Sequence, residues 1–357
     1  MPKNAFYAQS GGVTAVINAS ACGLIEAARR ATRQTPELIG KVFAGRNGII
    51  GALTEDLIDT SLDSDEDIAR LRHTPGGAFG SCRYKLKNLD QQRAQYSRLI
   101  EVFRAHEIAY FFYNGGGDSM DTAHKVAQFA TELGYPLSCI GIPKTVDNDL
   151  PHTDCCPGFG SVAKYVATSM REAGYDVASM ANSSATAGGT KIFVLEVMGR
   201  HAGWITAACG LASEENAAGD RQAPHLLLFP EIPFAAESFL EQVSACVKRY
   251  GYCTIAVSEG VQDGTGRFLA DMGTRDAFGH AQLGGVGQWV ARLIQERLGH
   301  KYHWALADYL QRSARHIASR TDVEQAYALG KAALEFALAG QHAVMPTIVR
   351  LSDQPYR

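Results

Sequence analysis

Short apolar runs alternate along this chain with longer segments of helical periodicity. Residues 4–10 are mostly apolar and end at a pair of glycines, and residues 14–29 then place Val16, Ile17, Cys22 and Ile25 on one helix face. The same alternation predicts strands at 37–44, 108–113, 137–142, 191–198, 226–229 and 253–258, and a helix at 119–133. It predicts an α/β fold with mostly parallel sheets covered by helices on both faces, in which ligands bind at the carboxyl ends of the strands.

Composition narrows the class of protein. A length of 357 residues predicts about two domains. The net charge of −3 argues against a nucleic-acid binder, and no apolar run is long enough to predict a membrane span. The eight cysteines have no CxxC spacing, and the sequence starts without a signal-peptide pattern, so we expect reduced thiols and a cytoplasmic protein. His300 and His303 lack a second ligand pair, which makes zinc a poor explanation.

Glycine and polar residues gather where the predicted strands end. The chain has 36 glycines, several in clusters, and backbone N–H groups at glycine turns and helix starts bind phosphate oxygens. A separate glycine-rich loop, 76–85, adds Arg83 and Lys85 as cations. The strand-end segments are Ser10-Gly11-Gly12, Gly115-Gly116-Gly117-Asp118, Lys144-Thr145-Val146-Asp147-Asn148-Asp149, Met198-Gly199-Arg200 and Glu259-Gly260.

Asp147 and Asp149 are the strongest candidates for chemistry. In an extended segment, residues i and i+2 point to the same side, so one carboxylate can act as a base while the other helps to hold Mg²⁺ near a phosphate. A turn or capping role is the alternative, because Asp-Asn-Asp is also favourable turn chemistry.

Several familiar enzyme classes lack their motifs here. The chain has no Walker GxxxxGK[ST] pattern, no His-Arg-Asp triplet and no GxSxG elbow. The nearest dinucleotide fingerprint, 158–163, follows a loop rather than a strand, which makes nicotinamide binding a poor explanation.

Over nearly its whole length, the chain resembles the phosphofructokinase family. The motifs are Gly11-Gly12, Gly80-Ser81-Cys82-Arg83, the segment 143–149, Met198-Gly199-Arg200 and Ser258-Glu259-Gly260, in the family's order. The closest resemblance is to the pyrophosphate-dependent branch. It implies two Rossmann-like three-layer α/β/α domains and reversible, Mg²⁺-dependent phosphoryl transfer from pyrophosphate to the 1-hydroxyl of fructose 6-phosphate.

Two residues indicate the phosphoryl donor. ATP-dependent members have glycine at the positions of Asp118 and Lys144, so the resemblance implies that Asp118 excludes ATP and Lys144 binds pyrophosphate. An ATP-dependent enzyme of the same fold and a non-catalytic regulatory relative are the alternatives. A longer-chain phosphosugar as substrate is left open.

The resemblance also implies the other roles. Gly12 and Arg83 correspond to pyrophosphate contacts and Asp147 to the base, with Lys144, Asp118 and Arg200 also in the catalytic set. The sugar-phosphate set is Thr145, Asp147, Asp149, Lys191, Met198, Gly199, Arg200, Glu259, Tyr309 and Arg312. The implied domains are 1–158 with 311–345 for the donor and 159–310 with 346–357 for the sugar, with the active site in the cleft between them.

Three features depart from the family pattern. The usual metal ligand falls at Gly117, so the metal is assigned to Asp149 and Asp118. Classical bacterial members contribute arginines across a subunit interface, and these align with Lys191 and His303. The resemblance implies a homodimer or homotetramer. Close relatives are expected to extend several tens of residues beyond Arg357.

Overall fold

The computed structural model describes residues 3–181, 189–214, 222–275 and 281–357. The strands are β1 (Asn4–Gln9), β2 (Val42–Gly45), β3 (Leu57–Asp59), β4 (Ile108–Gly115), β5 (Ser138–Pro143), β6 (Ile192–Val197), β7 (Leu226–Leu228), β8 (Cys253–Ser258), β9 (Asp271–Arg275), β10 (Ala281–Leu283) and β11 (Tyr302–Leu306). The helices are α1 (Ile17–Gln34), α2 (Ile49–Thr54), α3 (Asp65–Arg70), α4 (Leu89–Ala105), α5 (Gly117–Glu132), α6 (Phe159–Ala181), α7 (Trp204–Cys209), α8 (Ala236–Tyr250), α9 (Val286–Leu298), α10 (Asp308–Ser313) and α11 (Arg320–Leu338). Short 3₁₀ turns lie at Thr60–Leu62, Leu71–His73, Gly210–Ala212 and Arg315–Ile317.

The chain divides into two compact units, Met1–Ser161 with Ser313–Arg357 and Val162–Arg312. The two crossing points lie within a few residues of the predicted ones. The C-terminal segment 346–357 differs from the prediction, because it belongs to the first unit. There the Asp154 amide donates to the Ile348 carbonyl at 2.9 Å, and the Tyr356 hydroxyl donates to the Asp154 carboxylate at 2.7 Å.

The first unit contains a five-stranded sheet in the order β3-β2-β1-β4-β5. All neighbouring pairs are parallel except β2 and β3. Because side chains alternate along a strand, Tyr7 packs in a core with α1 and α11, whereas Phe6 packs on the opposite face with α4 and α5. This gives the three-layer α/β/α arrangement that the buried apolar runs predicted.

The second unit contains a parallel four-stranded sheet in the order β11-β6-β8-β7. Ile192 and Val194 of β6 and Ile255 of β8 pack against α8 and α9, and α7 contacts β7 and β8. An antiparallel ribbon of β9 and β10 is separate from this sheet. No helix in the described ranges is both long and apolar enough to cross a membrane.

The fold class is confirmed, and the differences are local. The first helix begins at Ile17 rather than Thr14 and continues to Gln34. The second strand is shorter than predicted and begins at Val42, because residues 36–38 form a turn. The edge strands β3 and β11 and the β9–β10 ribbon were not predicted.

Candidate active site

The first candidate cluster lies at the carboxyl edge of the five-stranded sheet. β1 ends before Ser10, β4 leads directly into α5, and β5 ends before Lys144. The strand order reverses between β1 and β4, with β2 on one side and β5 on the other. Open α/β sheets bind ligands at such a switch point, because loops from adjacent strands leave in opposite directions.

Hydrogen bonds join the loops at this switch point. The Ser119 hydroxyl donates to the Ser10 hydroxyl at 2.7 Å, and the Lys144 amide donates to the Gly115 carbonyl at 3.0 Å. Gly115 has to be glycine, since a Cβ there would lie 2.1 Å from the Ser119 hydroxyl oxygen. The loops after β1, β4 and β5 are therefore fixed to one another by contacts between their first residues.

Lys144 connects the ends of β5 and β1. It is only 4% exposed, and its ammonium group donates to the Gly12 carbonyl at 2.7 Å. A Cβ at Gly11 would lie 3.3 Å from the same nitrogen. The predicted pyrophosphate residues Gly12 and Lys144 thus touch, although they are 132 positions apart in the chain.

The glycine-rich loop at 76–85 reaches the same edge. The Gly11 amide donates to the Cys82 carbonyl at 2.9 Å, and the Ser81 hydroxyl donates to the Gly11 carbonyl at 2.7 Å. These bonds place the exposed Arg83 directly beside the β1 loop.

Asp118, at the start of α5, has a cationic partner that the sequence did not identify. Lys85 donates to its carboxylate at 2.6 Å, and this hydrogen bond raises the pKa of Lys85. Both side chains are more than 30% exposed, so the pair contributes little to stability. Its effect is to bring one anion and one cation together at the predicted donor end of the site.

The segment after Lys144 is a turn rather than a strand. Thr145 accepts a hydrogen bond from the Asp147 amide at 3.1 Å. Asn148 has a left-handed φ of 55°, and its side-chain oxygen accepts the Cys156 amide at 2.8 Å. The prediction that Asp147 and Asp149 share one side of an extended segment is therefore wrong in its geometry. Both carboxylates still belong to the loop that follows β5 at the switch point.

The oxygen ligands at this edge suit a hard divalent cation. Asp118, Asp147 and Asp149 all lie in the segments after β4 and β5, and one or two carboxylates with substrate phosphates are what such cations usually bind. Gly117 lies beside open space, because the nearest atom to a Cβ there would be a Leu150 methyl carbon at 3.9 Å. Gly117 itself offers no side-chain ligand, although the space beside it would accommodate one.

A second cluster lies at the carboxyl edge of the sheet in the second unit. Met198, Gly199 and Arg200 follow β6, and Glu259 follows β8. The Glu259 carboxylate accepts the Gly199 amide at 3.4 Å, and the Ser258 hydroxyl donates to the Gly199 carbonyl at 2.5 Å. These bonds join the loops that follow the two strands. We call the predicted sugar residues on these loops, Met198, Gly199, Arg200 and Glu259, the Arg200 group.

Helix α10 adds Tyr309 and Arg312 to this group. Gln311, which sequence reasoning missed, is buried and accepts the Met198 amide at 3.3 Å, so it fixes the helix to the β6 loop. The Arg312 guanidinium lies 3.8 Å above the centre of the Tyr309 ring. Arg200 has a buried Nε with no hydrogen-bond partner in the described part of the chain.

Lys191 lies at the opposite edge of the same sheet. It directly precedes β6, and its amide donates to the Lys301 carbonyl at 3.1 Å. At about 3.3 Å per residue, β6 separates Lys191 from Met198 by roughly 20 Å. Within one chain, Lys191 and the nearby His303 are therefore not part of the Arg200 group.

The dinucleotide-like segment at 158–163 is a structural helix start. The carboxylate of Asp322 accepts the Gly158 and Ser161 amides, each at 2.9 Å, and the Ser161 hydroxyl at 2.6 Å. A side chain of the chain itself occupies the place that a pyrophosphate group would need. The geometry agrees with the rejection of nicotinamide binding.

Comparisons with known proteins give a consistent result. The family model described as "Phosphofructokinase" matches residues 4–337. The chain is 67% identical over 355 residues to pyrophosphate–fructose 6-phosphate 1-phosphotransferase of Methylococcus capsulatus, an alignment that covers 99% of the chain and 81% of the relative. It is 64% identical over 353 residues to the Halomonas elongata protein of the same name, with coverages of 99% and 81%. The crystal structure of a pyrophosphate-dependent phosphofructokinase from Marinobacter aquaeolei matches with a TM-score of 0.86 and 62% identity, over 99% of this chain and 81% of that one.

Proposed function

The chain belongs to the phosphofructokinase family, and we propose that it transfers a phosphoryl group from pyrophosphate to the 1-hydroxyl of fructose 6-phosphate. The products are fructose 1,6-bisphosphate and phosphate, and the reaction is reversible. The observation that supports this most directly is the contact of the Lys144 ammonium with the Gly12 carbonyl at the switch point. The 67% identity to a relative named for this reaction supports the same choice of donor and acceptor.

Asp118 and Lys144 favour a small donor. Lys144 places a positive charge next to the glycine backbone of the β1 loop, where a compact and highly charged pyrophosphate gains most from it. Asp118 adds bulk and negative charge at a position where ATP-dependent members have glycine. Its carboxylate is paired with Lys85 at 2.6 Å. Selection of the phosphoryl donor thus combines attraction of pyrophosphate with exclusion of ATP.

Asp147 is the proposed general base. As its carboxylate accepts the proton of the sugar 1-hydroxyl, the hydroxyl oxygen forms a bond to one phosphorus of pyrophosphate, and the bond from that phosphorus to the bridging oxygen breaks. Lys144 and Arg83 stabilise the charge on the departing phosphate. Asp149 and Asp118, together with substrate oxygens, would hold Mg²⁺, which would neutralise phosphate charge when bound.

The second unit supplies the proposed sugar-phosphate site. Arg200 and Arg312 offer guanidinium groups to the 6-phosphate, and Glu259 accepts hydrogen bonds from sugar hydroxyls. Tyr309 donates its phenol where ATP-dependent relatives have histidine. Met198 and Gly199 form the wall next to the sugar, and Thr145, in the first unit, is a further proposed substrate residue.

We further propose that the protein works as a homodimer or homotetramer. Lys191 lies roughly 20 Å along β6 from the Arg200 group. In an oligomer it would instead bind the sugar phosphate of a neighbouring subunit, as a point charge. All eight cysteines are free thiols, which favours a cytoplasmic location.

A coupled assay with each donor tests the proposed function. Fructose 1,6-bisphosphate should form with pyrophosphate and Mg²⁺, and ATP should support less than about a hundredth of that rate. Asp147→Ala should lower kcat by at least about 10²-fold, whereas Asp149→Ala should chiefly raise the Mg²⁺ requirement. Equal or greater activity with ATP would overturn the choice of donor, and no activity with either would favour a regulatory relative.

The matched test of selectivity is the double variant Asp118→Gly, Lys144→Gly. We expect it to lose most pyrophosphate activity while its fructose 6-phosphate binding is retained, because both residues belong to the donor half. Pyrophosphate kinetics equal to those of the parent protein would contradict the role of these two residues.

A further inference from the structure

A thiol–imidazole cluster lies in the second unit, outside both parts of the proposed active site. Cys246 is on α8, Cys253 is the first residue of β8, and His225 directly precedes β7. The two sulfurs and a ring nitrogen of His225 all lie within 4.8 Å of one another. The cluster is at the amino-terminal edge of the sheet, whereas Arg200 and Glu259 follow its carboxyl edge.

The position of the His225 proton follows from a backbone contact. The amide of Thr254, a fully buried residue, donates to His225 Nδ1 at 3.0 Å. A buried amide needs an acceptor, so the Nδ1 lone pair is in use and the neutral ring has its proton on Nε2. Nε2 is buried and has no hydrogen-bond partner of ordinary length among the described residues. Its N–H is therefore available to the neighbouring sulfur.

The two thiols are made unequal by their surroundings. The hydrogen bond from Cys253 lowers the pKa of Cys246 despite burial, and the imidazole of His225 lowers it further. The same sulfur–sulfur contact, together with burial, raises the pKa of Cys253. By contrast, burial raises the pKa of Cys209, in the same unit, to about 12. Cys246 is therefore the more readily ionised of the two, and as a thiol it donates to the Tyr252 carbonyl at 3.4 Å.

A metal ion is the competing explanation for two cysteines and one histidine. Zinc would need two thiolates and the lone pair of a ring nitrogen. If Nε2 were the ligand, the ring proton would move to Nδ1, and the buried Thr254 amide would lose its acceptor. A ring whose Nδ1 accepts the Thr254 amide fits the observed hydrogen bonds, and a zinc ligand at Nε2 does not.

We propose that Cys246 and Cys253 form a redox-active pair that a small hydroperoxide oxidises to a disulfide. The Cys246 thiolate attacks a peroxide oxygen, the O–O bond breaks, and the leaving oxygen takes up a proton, which leaves a sulfenic acid. The Cys253 sulfur then attacks the Cys246 sulfur, loses its proton and releases water as the S–O bond breaks. The two thiols are oxidised by two electrons and the peroxide is reduced.

Access to the cluster suits only a small oxidant. Cys246 is 8% exposed and Cys253 is fully buried. A cavity of about 500 Å³ between β7 and α8 has His225 in its wall. This inference does not depend on the proposed phosphotransferase activity, since none of the three residues belongs to that site.

Alkylation and peroxide oxidation of the whole protein test the proposal. Iodoacetamide at pH 7, followed by peptide mapping, should modify Cys246 at least about tenfold faster than Cys209. Hydrogen peroxide in small excess should then link the peptides that contain Cys246 and Cys253, with the loss of two hydrogens. Cys253→Ser should stop at a sulfenic acid on Cys246 that dimedone traps, and Cys209→Ala, the matched control, should still form the link.

Three results would overturn the proposal. The first is alkylation of Cys246 no faster than that of Cys209, and the second is peroxide treatment that leaves Cys246 and Cys253 unlinked. The third is stoichiometric zinc in the purified protein, with both thiols reactive only after chelation. Because the labelling and oxidation are carried out on the unsubstituted chain, these results are decisive even if a variant fails to fold.

Discussion

Gly260→Ala should disturb the proposed sugar site through a single methyl group. Gly260 follows Glu259 at the end of β8, and a Cβ there would lie 1.8 Å from the Arg200 carbonyl oxygen. Contacts of a Cβ below 3.0 Å are essentially not observed, so the two loops would have to separate by about 1.2 Å. The nearby atoms belong to the Arg200 backbone, which cannot rotate away as a flexible side chain would.

The expected kinetic effect is on sugar binding rather than on donor binding. A displacement of about 1 Å in a positioning group can lower a rate by about 10²-fold, so the KM for fructose 6-phosphate should rise by about 10- to 100-fold. The KM for pyrophosphate should change less than about twofold, since the donor loops belong to the other compact unit. Initial rates with one substrate varied and the other saturating measure both constants.

Gly264→Ala is the matched control for this experiment. It lies four residues further along the same loop, and a Cβ there would meet no atom within 4 Å. Its kinetics should equal those of the parent protein. If Gly260→Ala folds, as circular dichroism can show, and retains the parental KM for fructose 6-phosphate, the assignment of Arg200 to the sugar site is refuted.

Three further variants test other parts of the site. Lys144 is only 4% exposed, and Lys144→Met keeps the length of its side chain but removes its hydrogen bond to Gly12. The kcat with pyrophosphate should therefore fall at least about 10²-fold. An unchanged kcat would contradict the role of Lys144 in binding pyrophosphate. Gly117→Asp adds a carboxylate where there is room at the start of α5, so half-maximal activity should need less Mg²⁺, and a higher requirement would count against the metal assignment. Glu196→Gln tests a buried carboxylate whose pKa is raised by burial despite amide donors at Gly285 and Gly287. In the parent protein, protonated Glu196 stabilises the fold below the unfolded-state pKa of about 4.3. This stability is lost as the pH rises through the folded-state pKa of Glu196. In urea unfolding, the stability of the parent relative to Glu196→Gln should therefore fall from pH 4 to pH 7. A difference in stability that stays constant with pH would contradict the raised pKa of Glu196.

The sequence predicted the fold because its strongest signals are local. The strand β4 is a compact apolar run followed at once by glycines, and both features are visible within ten residues. The rule that ligands bind at the carboxyl ends of the strands then predicted that Gly12 and Lys144 lie at the same edge of the sheet, with no contact between them known. Asp322 could not be found in this way, since it caps the start of α6 from 164 positions away.

The geometry of the Asp147–Asp149 segment depended on a contact that alternation cannot predict. A strand places residues i and i+2 on one side only while its dihedral angles stay extended. Asn148 leaves that region because its side chain bonds the Cys156 amide, eight residues later. The turn alternative described the backbone better than the strand did.

Strand direction limits which of the predicted site residues can act together in one chain. Lys191 precedes β6 and Met198 follows it, so two residues proposed for one sugar-phosphate site lie at opposite edges of the sheet. The separation of roughly 20 Å is fixed by the strand itself and cannot be closed by side-chain movement. If Lys191 contributes to catalysis, its substrate must therefore be bound by another copy of the chain. Mixing an inactive Asp147→Ala chain with an inactive Lys191→Ala chain should then restore activity, because some sites in the mixed oligomer receive both intact residues. No recovery from subunits that are shown to exchange would exclude the contribution across the interface.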